Sequence, residues 1–303
     1  MKNDMVMHER NMQKLSSRQK VGKVVIQVLL YTFLLVMAFI VIFPFYWMII
    51  SSVKTMDEYN RAVPTLFPHE LALHNYVDAF FGRGGTSAAE GTLWTLFGNT
   101  LLVGVVSTLL SLVITVLSAF AFARLEFKGK NVLFAALLGT MMIPGELFTI
   151  TNFKTVTDLG WKNTYTVLIV PFLVSVFYIY LLRQNFMQIP NELYLAAKVD
   201  GTSDLKYLWK VMIPLSLPTL ISITILKMMG AWNSYMWPNL VANDAKHRLI
   251  TNGLRNWYTD AEGVTNIPVQ MAAVTLVSIP LFLVFIFLRK YIMKGVSRSG
   301  IKG

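Results

Sequence analysis

Six long apolar stretches organise this chain: Val24 to Ile50, Leu96 to Ala123, Val132 to Thr151, Thr164 to Leu182, Val211 to Trp237 and Pro268 to Leu288. At a helical rise of about 1.5 Å per residue, each can cross the roughly 30 Å of a hydrocarbon layer. A helix is the element that satisfies its own backbone groups there. The pattern predicts an all-α, polytopic membrane protein with six transmembrane helices over residues 24–288. The first stretch is too long for the apolar core of a secretory signal, and no small-residue cleavage pattern follows it, so it reads as a retained helix. Pro44, Pro144, Pro171, Pro214, Pro218 and Pro280 lie in or at the ends of the stretches. Each lacks a backbone donor and frees a carbonyl, so bent helices are expected.

Composition agrees. Hydrophobic residues make up 55% and charged residues 14%, whereas soluble domains carry about 25% charged residues. The chain has no Cys, which excludes disulfides, thiolate metal sites and Cys nucleophiles together. The net charge of +11 gains meaning once the basic residues are sorted by segment. Lys2, Arg10, Lys14, Arg18, Lys20 and Lys23 lie before the first stretch. Arg124, Lys128 and Lys130 follow the second, and Arg183, Lys198, Lys206 and Lys210 follow the fourth. Arg289, Lys290, Lys294, Arg298 and Lys302 follow the sixth. The positive-inside rule then makes both termini cytoplasmic, with basic tails at 1–23 and 289–303. A basic face against anionic lipid accounts for this charge, so no nucleic-acid partner is required.

The loops expected outside differ in character. Ser51 to Thr95 is long and rich in Pro and Gly, while Asn239 to Ile267 carries Trp257 and Tyr258. Loops of this length are uncommon unless they bind or cover something. Within the second stretch, Gly104, Thr108, Ser111 and Thr115 recur at helical spacing beside Ser107 and Ser118, a narrow face for close helix packing. Two formal charges fall well inside the stretches, Glu146 and Lys227. Counting along straight helices lifts both roughly 21 to 24 Å from the inner ends. Intramembrane charges mark a pathway or a pair, so these two are expected to meet or to line one polar cavity. Separate snorkelling to the outer interface is the alternative.

No catalytic constellation is visible. His8, His69, His74 and His247 all lie outside the stretches, H-E-x-x-H is absent, and so is the phosphate-cradling G-x-x-x-x-G-K-[ST]. The stretches offer Ser without a positioned base. Neither a metal site nor a cofactor is expected on this chain, so any driving energy comes from another chain or an ion gradient.

The most specific signal lies between the fourth and fifth stretches, at about residues 189–213. Pro190 ends the preceding helix and Asn191 is expected to cap a helix over Glu192 to Val199. Gly201 supplies a left-handed cap, and Thr202, Ser203 or Asp204 opens the next helix towards Pro214. Ala196 and Ala197 permit close approach by another surface.

This segment resembles the EAA loop of permease subunits in ATP-binding-cassette importers: Glu-Ala-Ala, three residues, Gly, nine residues, then Ile-x-Leu-Pro. Ala196, Ala197, Gly201 and Pro214 fall in register, Val211 and Ile213 take the apolar positions, and Leu195 stands where the family has its Glu. Further pieces occur in order. They are Pro44-Phe45-Tyr46-Trp47 leading to Ser52 and Lys54, Asn99-Thr100, Ala121-Phe122-Ala123-Arg124 with Phe127-Lys128-Gly129, and Met142-Ile143-Pro144. Trp232-Asn233 with Pro238, Lys290-Tyr291 to Gly295, and Gly300-Ile301-Lys302-Gly303 complete the set. Together they look closest to the second, maltose-type subunit of carbohydrate importers, and the first 23 residues carry none of them.

The resemblance implies a bacterial cytoplasmic-membrane complex of this subunit with a homologous second permease, two cytoplasmic ATPase subunits that bind ATP and Mg, and an extracellular solute-binding protein. It implies coupling to the ATPase through Glu192, Leu195, Ala196, Ala197, Asp200, Gly201 and Pro214. With Leu195 replacing the acid, docking would rest on shape, Ala packing and the Asp200-Gly201 turn. Glu146, Lys227, Trp232 and Asn233 are expected along the translocation path, and Trp257 and Tyr258 against the binding protein. The solute would be a carbohydrate, most naturally an oligosaccharide. The competing readings are a non-sugar or acidic solute, to which an unpaired Lys227 would point, and a membrane scaffold or sensor subunit without transport. A secondary transporter fits less well, since no inverted repeat is visible and intramembrane carboxylates are few.

Overall fold

The computed structural model describes residues 2–81, 93–256, 258 and 264–297, without the side chains of 2–21, 255–256 and 288–297. Among the described residues, three helices are singly long and apolar enough to cross a membrane. They are α1 (Lys2–Ser52) in its part Gly22–Ser52, α4 (Leu93–Arg124), and α15 (Ile267–Ser297) in its part Ile267–Phe287. Helix α1 carries the basic N-terminal segment into the first span without a break.

The other three apolar stretches are bent, as their prolines lead one to expect, and heights counted along straight helices do not apply to them. Helix α5 (Lys130–Thr140) gives way at Met141 to Pro144, and a 3-10 turn, Gly145–Phe148, leads into α6 (Thr149–Asp158) at 83° to it. Helix α7 (Tyr165–Ile169) and the turn Val170–Phe172 meet α8 (Val176–Met187) at 44°. The fifth stretch breaks at Ser216, between Pro214 and Pro218. Before the break lie α10 (Asp204–Tyr207), a π-turn at Leu208–Met212 and α11 (Ile213–Leu215); after it, α12 (Leu217–Trp232) departs at 81°. The longer helix of this stretch therefore begins at Leu217 rather than Val211. Counting each bent pair as one span gives up to six. Each break sits at a Pro, whose missing N–H ends the hydrogen-bond ladder.

Helix α4 is the central post. It packs on α8 and α12, α12 packs on α15, and α15 meets α1 and α3 (His74–Phe81). The small-residue face is a packing face: Thr100, Gly104, Ser107, Thr108, Ser111 and Thr115 are all buried. At Gly104 a Cβ would lie 2.9 Å from both Cε and Sδ of Met228, so α12 presses against the α4 backbone there. On α1, Val24 to Ile42 stand exposed, and contact with α15 is made lower down, where Phe45 meets Phe282 edge-on at 5.7 Å.

The segment between α1 and α3 is ordered by its own polar groups. It includes α2 (Met56–Tyr59), where the Glu58 carboxylate accepts from Thr65 Oγ1 at 2.6 Å and from the His69 N–H at 3.1 Å. Asn75 donates to the carbonyls of Ser52 and Lys54, and the Lys54 ammonium sits 4.7 Å from the centre of the Trp47 ring.

Candidate functional site: a protruding helix, a polar cavity and a pinned loop

At one end of the bundle, α9 (Asn191–Val199) lies on the surface, with no fully buried residue and with Tyr194 and Ala197 packed on the fold. Pro190 is its N-cap and Asn191 its first residue, one place earlier than the sequence pattern predicts. The C-terminal turn is a Schellman motif: the Thr202 N–H reaches the Ala197 carbonyl at 2.8 Å and the Gly201 N–H reaches Lys198 at 3.1 Å. Gly201 adopts φ +69°, a left-handed conformation in which a side chain costs about 1–2 kcal/mol. Ser203 then caps α10 through the Lys206 N–H.

The two helices of this elbow are clamped together by side chains that sequence reasoning missed. Asp204 Oδ1 accepts from Lys198 Nζ and from the Tyr194 hydroxyl, both at 2.7 Å, and the Tyr194 and Tyr207 rings lie 5.1 Å apart. The hydrogen bond from Lys198, then that from Tyr194, hold the Asp204 carboxyl below its ordinary value, and the Lys198 ammonium is raised chiefly by the same bond. The signal was present as Lys198 and Asp204 flanking the glycine turn, but only the turn geometry brings them together.

Beneath α9 the bundle is braced. Arg124, the last residue of α4, donates to the carbonyls of Phe186 and Ile189 at 3.0 and 2.6 Å. Arg183 of α8 reciprocates with a bond to the Phe122 carbonyl at 3.1 Å, its guanidinium 4.1 Å from the Phe134 ring centre. Tyr207, Leu208 and Met212 fill the cluster with Leu182, Phe186 and Ile189. The elbow is therefore rigidly mounted on α4 and α8, while Glu192, Leu195, Ala196, Asp200, Gly201 and Pro214 remain exposed and Ala197 is half-buried. Leu195 and Val199, one helical turn apart, are 56% and 88% exposed, an apolar edge facing outward.

Midway along the bundle lies a cavity of about 390 Å3 between α4, the break ahead of α8, α12 and α13 (Met236–Val241). Its polar lining includes Ser107, Ser175, Tyr178, Lys227 and Ser234, with Trp237 and Phe172 among the apolar walls. Lys227 Nζ donates to the carbonyl of Phe172, a group freed where the fourth stretch bends. Glu146 lies exposed on the 3-10 turn between α5 and α6, and does not line this cavity or pair with Lys227. The expectation of a shared site assumed straight helices, and the 83° bend removes its basis. Asn233 is exposed, its amide bonded to the Met229 carbonyl. Trp232 is buried on the other face of α12, in a cluster with Leu96 and Val269, where it meets Phe97 edge-on at 5.3 Å.

At the far end, the Asn99-Thr100 pair pins a loop. Asn99 Nδ2 donates to the carbonyls of Lys246 and Arg248 at 2.8 and 3.0 Å, and Asn99 Oδ1 accepts from the Tyr165 hydroxyl at 2.8 Å. Thr100 Oγ1 accepts the Ile250 N–H at 2.9 Å where α14 (Ile250–Asn256) begins. Tyr258 is buried, donating to the Ala79 carbonyl at 3.0 Å, and burial pushes its hydroxyl pKa upward. It anchors the loop to α3 instead of presenting a face to a partner. Trp257 lies outside the described residues.

The family model described as binding-protein-dependent transport system inner membrane component matches residues 7–298. The chain belongs to this family. The match begins well inside the basic N-terminal segment in which no motif was legible. The permease is similar to the arabinooligosaccharides transport system permease protein AraQ of Halalkalibacterium halodurans, 31% identical over 88% of this chain and 93% of that protein. It is also similar to the sn-glycerol-3-phosphate transport system permease protein UgpE of Brucella abortus, at 31% over 85% and 91%. The inner membrane ABC transporter permease protein YcjP of Escherichia coli is 29% identical over 87% and 92%. Among solved structures, a bacterial ABC transporter involved in the import of the acidic polysaccharide alginate contains a chain with the same fold. Its TM-score is 0.76 at 23% identity, covering 88% of this permease and 96% of that chain. The permease is thus an inner-membrane transport subunit and not an enzyme.

Proposed function

We propose that this permease forms half of the translocation path of an ATP-driven, binding-protein-dependent importer for a carbohydrate, with an oligosaccharide as its natural solute. The observation that carries the coupling half of this reading is α9: a short helix with no buried residue, mounted on a braced elbow, with an apolar edge facing out. A soluble partner is the surface that such an edge fits. Relatives named for arabinooligosaccharides and glycerol phosphate support a hydroxyl-rich solute.

In this reading the bundle spans a bacterial cytoplasmic membrane with both termini and α9 inside. A homologous second permease completes the path, two ATPase subunits hold ATP and Mg, and an extracellular binding protein delivers solute to the loop that Asn99 pins. Closure of the ATPases on ATP carries α9 as a lever. The Arg124 and Arg183 bonds transmit that displacement to α4 and α8, and the breaks at Ser216 and at Leu173 to Ser175 supply hinges. Coupling then follows from one element, α9, whose position both the nucleotide and the solute path bias. The apolar Leu195 and Val199 favour docking by burial over docking by an ion pair.

The test is reconstitution of the complete complex in liposomes with its binding protein and a radiolabelled arabino-oligosaccharide. ATP-dependent accumulation is expected. Accumulation that persists without ATP would refute the coupling, and uptake restricted to solutes without hydroxyl groups would refute the carbohydrate assignment.

A further inference from the structure

We propose that the Lys227 cavity is a solute subsite for an anionic group, a carboxylate or phosphate carried on a polyhydroxylated solute. The inference rests on the importer reading and narrows its substrate class.

Lys227 is half-buried on an apolar span, where a charge is costly unless it is compensated. Here the structure compensates it only with a neutral group, the Phe172 carbonyl. An ammonium has three N–H donors, so two remain for another acceptor. Among the described residues no carboxylate lines the cavity, and Glu146, on the 3-10 turn, is not among its walls. A purely structural lysine would be expected beside an acid or a ring of acceptors; this one faces a space of about 390 Å3, within the roughly 300–1,000 Å3 of small-molecule pockets.

A second feature adds positive potential. The N-terminal end of α8, twelve residues long, opens on to the same space, with Ser175 as its cap and Val174, Ser175 and Tyr178 in the wall. The aligned peptide dipoles of a helix favour an anion at this end. Around this positive centre, the hydroxyls of Ser107, Ser175, Tyr178 and Ser234 offer donors and acceptors suited to sugar hydroxyls, and Trp237 supplies an aromatic wall. The Trp237 indole is itself fixed, its Nε1 donating to the Val167 carbonyl at 3.0 Å. A charged donor, a helix N-terminus, hydroxyls and one aromatic face together describe recognition of an acidic saccharide or a polyol phosphate more closely than of a neutral sugar.

The experiment uses the complete importer in liposomes with its binding protein, ATP inside, and three solutes presented separately: trigalacturonate, its fully methyl-esterified form and glycerol 3-phosphate. The wild-type complex should take up one of the two acidic solutes in preference to the ester, which also identifies whether the anion is a carboxylate or a phosphate. The acid-to-ester uptake ratio should fall about tenfold or more in Lys227→Gln, reflecting loss of a charge-assisted bond, and be largely retained in Lys227→Arg. Wild-type uptake confined to the methyl ester, or an equal loss for acidic and esterified solutes in Lys227→Gln, overturns the anion subsite while leaving carbohydrate import standing. Uptake of a neutral arabino-oligosaccharide without uptake of either acidic solute overturns the anion subsite alone, and stimulation of ATP hydrolysis by the binding protein with uptake of none of these four solutes overturns both.

Discussion

Arg124 lies at the end of α4 and donates to the carbonyl of Ile189 at 2.6 Å, tying the central helix of the bundle to a residue two places before α9. Its second bond goes to the Phe186 carbonyl in the last turn of α8, which also accepts the Ile189 N–H. Arg124→Leu removes the donor to the Ile189 carbonyl, at roughly 1–3 kcal/mol, while the Phe186 carbonyl keeps the Ile189 N–H. The variant should melt earlier in detergent and should retain less ATPase subunit on purification, whereas Leu205→Ala, an exposed change on α10, should do neither.

Asn99 holds the far end in the same manner. Asn99→Ala removes the donor to Lys246 and Arg248, partly exposed bonds that contribute about 1 kcal/mol each. Faster protease cleavage within 242–249 is expected, together with weaker stimulation of ATP hydrolysis by the binding protein. Unchanged cleavage would show that Thr100 and Asn252 hold the loop without it.

The elbow clamp has a defined pH window. Asp204 is depressed below 3.8, so its contribution is full above that value and lost as pH falls through the folded value. Lys198 is raised above 10.5, so its contribution is full below that value and lost as pH rises through the folded one. Amide hydrogen exchange in α9, corrected for its intrinsic pH dependence, should therefore be flat between about pH 5 and 9. Asp204→Asn should raise exchange throughout that range.

Packing of α12 on α4 limits what position 104 accepts. Met228 is flexible, so Gly104→Ala should be tolerated once its terminal methyl shifts, but Gly104→Leu overfills the contact at about 1–3 kcal/mol. Thermal stability of Gly104→Leu should recover in part when combined with Met228→Ala. Failure of this rescue would place the strain elsewhere.

Much of this arrangement was legible in the sequence because it is local. Gly201 after Val199-Asp200 reads as a left-handed cap on chemistry alone, and the polar segment between two apolar stretches had to leave the bundle. The small-residue face of α4 follows from helical periodicity. What periodicity cannot supply is direction after a proline. The expected meeting of Glu146 with Lys227 depended on counting residues along straight helices, and the bend after Thr140 takes Glu146 away while the bend near Phe172 offers Lys227 a carbonyl. Trp232 and Tyr258 looked like contact residues because large aromatics so often are. Both are instead buried, and their neighbours, Phe97 and Ala79, come from distant parts of the chain.

The docking of α9 on an ATPase subunit is open to direct measurement because the chain has no Cys. Leu195→Cys introduces a unique thiol on the exposed edge of α9, and Phe39→Cys a control on the exposed face of α1. In the purified complete complex, a short thiol-to-amine crosslinker should join Leu195→Cys to the ATPase subunit, with a yield that changes on adding ATP, and should not join Phe39→Cys to it. A complex that hydrolyses ATP in response to its binding protein, yet gives no ATPase crosslink from Leu195→Cys, would contradict coupling through this helix.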